Sequence, residues 1–132
     1  MNVATQRTVI WAAMVGAVGV YLLLGLQLGG RLAPEAGPLP PYLPLALGLV
    51  ALGNAFGASL FWRRAREAEQ ERSRPVEYPE ETPPGQLTPW IVAWALDEGV
   101  AVLGFVLALM GYPLAAWIPF LLGAAVLLTL HR

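Results

Sequence analysis

Two adjacent carboxylates, Asp97 and Glu98, stand near the middle of an apolar run from Thr88 to Met110, TPWIVAWALDEGVAVLGFVLALM. A helix of about 20 residues spans the hydrocarbon of a bilayer, so both acids fall near its midplane. An ionised side chain at that depth costs at least about 2.5 kcal/mol. Acids held there suit one chemistry above others, the reversible binding of a proton or a cation. Burial away from any cation disfavours the charged carboxylate. At least one of the two is therefore expected to be protonated at neutral pH, unless it holds a cation or touches water. Neighbours on a helix project about 100° apart, so the pair cannot face one partner together. One is expected to face the bundle interior and the other an adjoining subunit or cavity.

The helpers available at this depth are few. Asn54, near the middle of an earlier apolar run, is the expected hydrogen-bond partner of Glu98, or simply packing glue between helices. The candidate ion-binding set is thus Glu98, Asp97 and Asn54. No arginine lies within any apolar run, and an intrachain salt bridge to the acids is not expected. Trp94 and Trp90 precede Glu98 by one and two turns and form an aromatic strip, which reads as packing or lipid-facing surface. With no cysteine, disulfides and thiolate metal sites are excluded. The one histidine, His131, rules out a multi-histidine metal site or a His-ligated haem built within one chain. No nucleophile constellation is visible, so an enzyme is the least favoured class, and no cofactor or metal is expected.

The segment Ala93 to Gly111, AWALDEGVAVLGFVLALMG, resembles the carboxylate-bearing helix of rotary ATPase proteolipid (c) subunits, where an Ala-Leu-x-Glu run is followed at helical spacing by glycine and aliphatics. That resemblance implies that Glu98 matches the ion-binding carboxylate. The chain also resembles small four-helix bacterial membrane proteins of unassigned role that share a Leu-x-Glu helix.

The elements that must position these residues follow from composition. Of 132 residues 57% are hydrophobic and 13% charged, and the mean hydropathy is +0.58, outside the range of ordinary soluble domains. The net charge of −1 gives no reason to invoke nucleic acid. Four apolar runs, about 8–28, 42–62, 88–110 and 113–130, predict an all-α polytopic membrane protein. It is read as a single membrane domain over 1–132, four transmembrane helices in an antiparallel bundle. The first run is read as an uncleaved helix rather than a signal peptide. Arg7, Arg63, Arg64, Arg66, Arg72, Arg74 and Arg132 flank one side and Arg31 the other. By the positive-inside rule both termini and the 63–87 linker are cytoplasmic, in a bacterial inner membrane.

Local signals add detail. The 29–41 connection holds four prolines and three glycines and predicts an extended outer loop. Helix two is expected to run past the membrane as RRAREAEQERSR, before an acidic, proline-rich 75–84 segment that cannot stay helical. Thr88 is the expected cap of helix three, with Pro89 in its first turn. Gly111 should close that helix, and Pro119 should bend helix four. Small residues at i, i+4 spacing, such as Ala12 with Gly16 and Gly53 with Gly57, favour close helix association. So small a bundle leaves little room for an aqueous path, and an ion function predicts an oligomer. Two readings follow: an oligomeric intramembrane carboxylate site, or a non-catalytic accessory subunit of a larger membrane complex. Their partners are the bilayer with either further copies of the chain or other membrane subunits.

Overall fold

The computed structural model describes residues 3–29, 31, 38–72 and 87–132. Among them the fold is all-helical, with four helices and no strand. These are α1 (Val3–Leu28), α2 (Leu43–Arg72), α3 (Thr88–Leu109) and α4 (Leu114–Leu130). Three of them, α1, α2 and α3, are long and apolar enough to cross a membrane, whereas α4 is a shorter apolar helix of 17 residues. Large aliphatic and aromatic side chains point outward on every helix, among them Leu23, Leu49, Phe56, Val102 and Leu122. So much apolar surface is unsustainable in water and natural against lipid. The chain is a membrane protein.

The core gathers around α3. Its span is 44% buried, against 11% for α1 and 6% for α2, and it packs on all three other helices, while α1 and α2 each rest on α3 and α4. Trp90, Ala93, Trp94, Asp97, Val100, Ala101, Gly104, Leu107 and Ala108 repeat at three- and four-residue spacing and form its buried face. Gly104 allows the tightest approach, since an added Cβ would lie 2.7 Å from Phe120 Cβ and 2.9 Å from the Trp117 carbonyl oxygen of α4. On α1, Gly25 admits the Trp117 ring in the same way.

The helix ends match expectation at the end of α2 and at the α3–α4 turn, and differ from it at the starts of α1 and α3. α1 begins at Val3, five residues before the apolar run, because Ala4 to Arg7 continue the helix as a polar turn. α2 runs on to Arg72, so the first ten residues of the 63–87 linker are helical. Thr88 is not the cap of α3; Leu87 already has helical angles (φ −83°, ψ −16°), which draws Thr88 inside the helix and leaves the cap without a side-chain bond. Pro89 does lie in the first turn. Gly111, at φ 85°, closes α3 with Tyr112 N–H donating to Leu107 O and Gly111 N–H to Ala108 O, the paired bonds of a Schellman ending. Pro113 is extended and starts α4, which continues through Pro119. The Tyr112 hydroxyl donates to the Pro40 carbonyl at 2.6 Å and ties this turn to the segment before α2. Most of the proline-rich outer loop and all of the acidic 75–84 segment lie outside the described residues.

Candidate functional site

The two acids of α3 part company, as the 100° step requires. Asp97 has no exposed surface, and its Oδ2 lies 2.7 Å from His131 Nδ1, just beyond the end of α4. Glu98 turns toward α1, where its Oε1 accepts a 2.9 Å hydrogen bond from the Tyr21 hydroxyl. The Tyr21 ring stacks on Phe105 with centroids 5.5 Å apart.

The Asp97–His131 contact overturns the expectation that no intrachain salt bridge reaches the acids. Helix geometry explains how it is made. Asp97 precedes Gly111 by 14 residues and His131 follows Pro113 by 18, so the two sit about 21 Å and about 27 Å from the same turn. Side chains lean toward the N-terminus of their own helix. On helices that meet at this turn, Asp97 and His131 therefore lean toward each other and close the remaining gap.

His131 is held from several sides. Its backbone N–H donates to Leu127 O, and its carbonyl accepts from Trp94 Nε1 at 3.0 Å. The Trp62 ring is tilted against the imidazole at 5.5 Å between centroids. The second ring nitrogen, Nε2, lies 3.4 Å from Ser59 Oγ. The Ser59 hydroxyl spends its single hydrogen on the Ala55 carbonyl at 2.9 Å, so toward His131 it offers only lone pairs. Nε2 is then the donor in that contact. One proton accordingly lies between Nδ1 and Oδ2, and the Asp97–His131 pair is neutral overall whichever atom holds it. Among the described residues, Asp97 Oδ1 and Trp62 Nε1 are buried without a hydrogen-bond partner.

Serine, histidine and aspartate in this order are the parts of an acyl-transfer triad. Ser59 is nevertheless turned away from that role, because its proton goes to its own helix rather than to the imidazole.

Asn54 stands apart from both acids. Its Nδ2 lies 3.0 Å from where a Gly99 Cβ would be, so it packs against the backbone of α3, and among the described residues it bonds neither carboxylate. The expected Asn54–Glu98 bond fails because Glu98 projects toward α1 while Asn54 approaches from α2. The structure thus joins Asp97 to His131 and Ser59, joins Glu98 to Tyr21, and leaves Asn54 as a packing residue. Tyr21 had one usable signal, a lone phenol midway along an otherwise apolar run. Trp90 and Trp94 are buried rather than lipid-facing, with centroids 6.0 Å apart. Asp97 and His131 make two potential metal ligands, and no group of three His, Cys, Asp or Glu occurs among the described residues. No protein-family model, curated protein or solved structure matches the chain, so the site is read from its own geometry.

Proposed function

We propose that this chain is a small bacterial inner-membrane protein, four antiparallel spans with both termini in the cytoplasm, that binds a proton at Asp97 and His131. The observation that carries the reading is their buried 2.7 Å contact, extended by Ser59. A pair that is neutral at rest is tolerated where a lone charge is not. It can take up one proton or release one, and each step changes its charge by a single unit. Asp97 Oδ1, buried and unpartnered, is the acceptor that remains for an arriving proton. Glu98, bonded to Tyr21, is a second acceptor on the α1 side. The likeness to proteolipid subunits points to Glu98 as the carrier; the imidazole and the spare oxygen favour Asp97.

The orientation rests on arginine placement. Arg7 meets Glu69 at 3.3 Å, and Arg132 lies over Trp11 at 4.5 Å, so the chain termini and the end of α2 share one arginine-rich end. Exposed Gly16, Gly19 and Gly53 have open space where a Cβ would stand, a surface suited to close packing in a homo-oligomer.

The test is proton flux in vesicles that carry the purified chain and an internal pH dye, driven by a potassium diffusion potential. Asp97→Asn and His131→Gln should each lower the flux about 10²-fold, the low end for a positioned proton-transfer group. Glu98→Gln should lower it less. Unchanged flux in the Asp97→Asn/His131→Gln double variant refutes the assignment. One observation favours an accessory subunit instead: α2 projects past its span to Arg72 with charged, exposed residues suited to docking. A wild-type chain that shows no flux and leaves the membrane in a stable complex with other proteins supports that second reading.

A further inference from the structure

A second feature lies at the arginine-rich end, outside the proton site. A cavity of about 190 Å³ is lined by Ala4, Arg7, Thr8, Trp11, Trp94 and Arg132. Its lining side chains include two cations and no carboxylate. The guanidinium of Arg7 lies 3.7 Å from the centre of the Trp90 ring, with Nη1 3.3 Å from Glu69 Oε1. That of Arg132 lies 4.5 Å from the centre of the Trp11 ring and has no carboxylate partner among the described residues.

The other polar groups of the wall are already committed. Trp11 Nε1 donates to Leu128 O at 2.7 Å, Trp94 Nε1 donates to His131 O, and the Thr8 hydroxyl donates to Ala4 O. The donors left for a guest are the guanidinium N–H groups of Arg132 and those of Arg7 that Glu69 does not take. Glu69 offsets the charge of Arg7 alone, and an anion between the two guanidiniums balances the other. Arginine forks match the oxygens of phosphate in pairs. Further along α1, Ala12 and Val15 are exposed apolar residues.

We propose that this cavity binds a phosphate-bearing anion through Arg7 and Arg132, the chemistry shared by an anionic phospholipid headgroup and free phosphate. Arg132 follows His131, and Trp94 both lines the cavity and holds the His131 carbonyl, so an occupant steadies the end of α4 that carries the imidazole.

The full chain in neutral detergent micelles is titrated with phosphatidylglycerol or phosphatidylcholine, and separately with inorganic phosphate, following tryptophan fluorescence and thermal unfolding. At about fivefold per guanidinium near a surface, phosphatidylglycerol should bind about 30-fold more tightly than phosphatidylcholine. The Arg7→Gln/Arg132→Gln variant should lose that preference. Arg63→Gln/Arg64→Gln, with the same change in charge outside the cavity, should keep it. A response to phosphate that competes with the lipid makes the free anion a ligand; a response to the lipid alone assigns the headgroup. Equal binding of the two lipids by the wild type, or loss of the preference in Arg63→Gln/Arg64→Gln, overturns the proposal. If Arg7→Gln/Arg132→Gln does not fold, quenching of the wild-type tryptophans by headgroup-proximal brominated lipid decides, with phosphatidylglycerol expected to quench in preference and equal quenching refuting the site.

Discussion

The buried pair makes a quantitative demand on stability. Replacing His131 by Phe keeps a ring beside Trp62 and removes both nitrogens. Asp97, with no exposed surface, is then left with neither oxygen bonded. Breaking one side of a buried pair costs about 3–5 kcal/mol. The membrane-bound unfolded state finds partners of its own, so about 3 kcal/mol is expected. Asp97→Leu leaves a neutral imidazole with Nδ1 bare and costs about 1 kcal/mol, the low end for an unsatisfied buried group. The double variant leaves no orphan and should lose only about 1 kcal/mol in altered packing. The singles then sum to about 4 kcal/mol against about 1 for the pair, a coupling of about 3 kcal/mol, the upper end for residues in contact. Far-ultraviolet circular dichroism during titration of dodecylmaltoside micelles with sodium dodecyl sulfate measures all three variants. Additive singles, with a coupling below about 0.5 kcal/mol, show that Asp97 and His131 do not interact and refute the reasoning.

Three other perturbations test the bundle in the same assay. Gly104→Ala sets a Cβ 2.7 Å from Phe120 Cβ and forces α3 from α4; overpacking of about 1–3 kcal/mol exceeds the helix-propensity gain of about 1 kcal/mol. Gly123→Ala, with nothing within 4 Å of its Cβ, should be neutral or gain up to about 1 kcal/mol, and the reverse order of the two variants contradicts the α3–α4 register. Tyr21→Phe keeps the stack on Phe105 and loses the bond to Glu98, a cost of about 0.6 kcal/mol and at most about 1.7. Glu98→Gln should cost less still, because the amide oxygen can accept from the same phenol. Tyr112→Phe removes the 2.6 Å bond to Pro40 O, which also accepts from Leu43 N–H. Hydrogen exchange at Leu43 should speed up, and unchanged exchange there would show that the phenol does not anchor the start of α2.

The helices were legible because length and hydropathy decide them almost alone. Their arrangement was less so. Each helix is apolar nearly all round, so no face is marked as the buried one. What singled out α3 was the cost of its carboxylates, which favours the most enclosed position. Thr88 shows the limit of local rules: it has the right chemistry for a cap, but Leu87 had already entered the helical region and moved the boundary by one residue. Gly111 was readable because the turn demands a positive φ, a demand that glycine meets at least cost.

The partner of Asp97 was hidden for a geometric reason. A search for cations confined to the apolar runs finds none, since His131 lies one residue beyond the last of them. Depth in a bundle, however, is set by where a helix ends rather than by whether a residue lies inside it. With 17 residues α4 is about 25 Å long, shorter than α3, and its end falls at the level of Trp94 instead of Thr88, as the Trp94–His131 bond records. The imidazole then leans inward by the ordinary tilt of helical side chains and meets a carboxylate leaning the other way. Glu98, one residue on, faces α1, where no comparable helix end exists, and takes a phenol from midway along α1 instead. The shortness of α4 is therefore what separates the roles of two adjacent acids. It gives Asp97 an imidazole that shares a proton, whereas Glu98 accepts a hydrogen bond from a phenol.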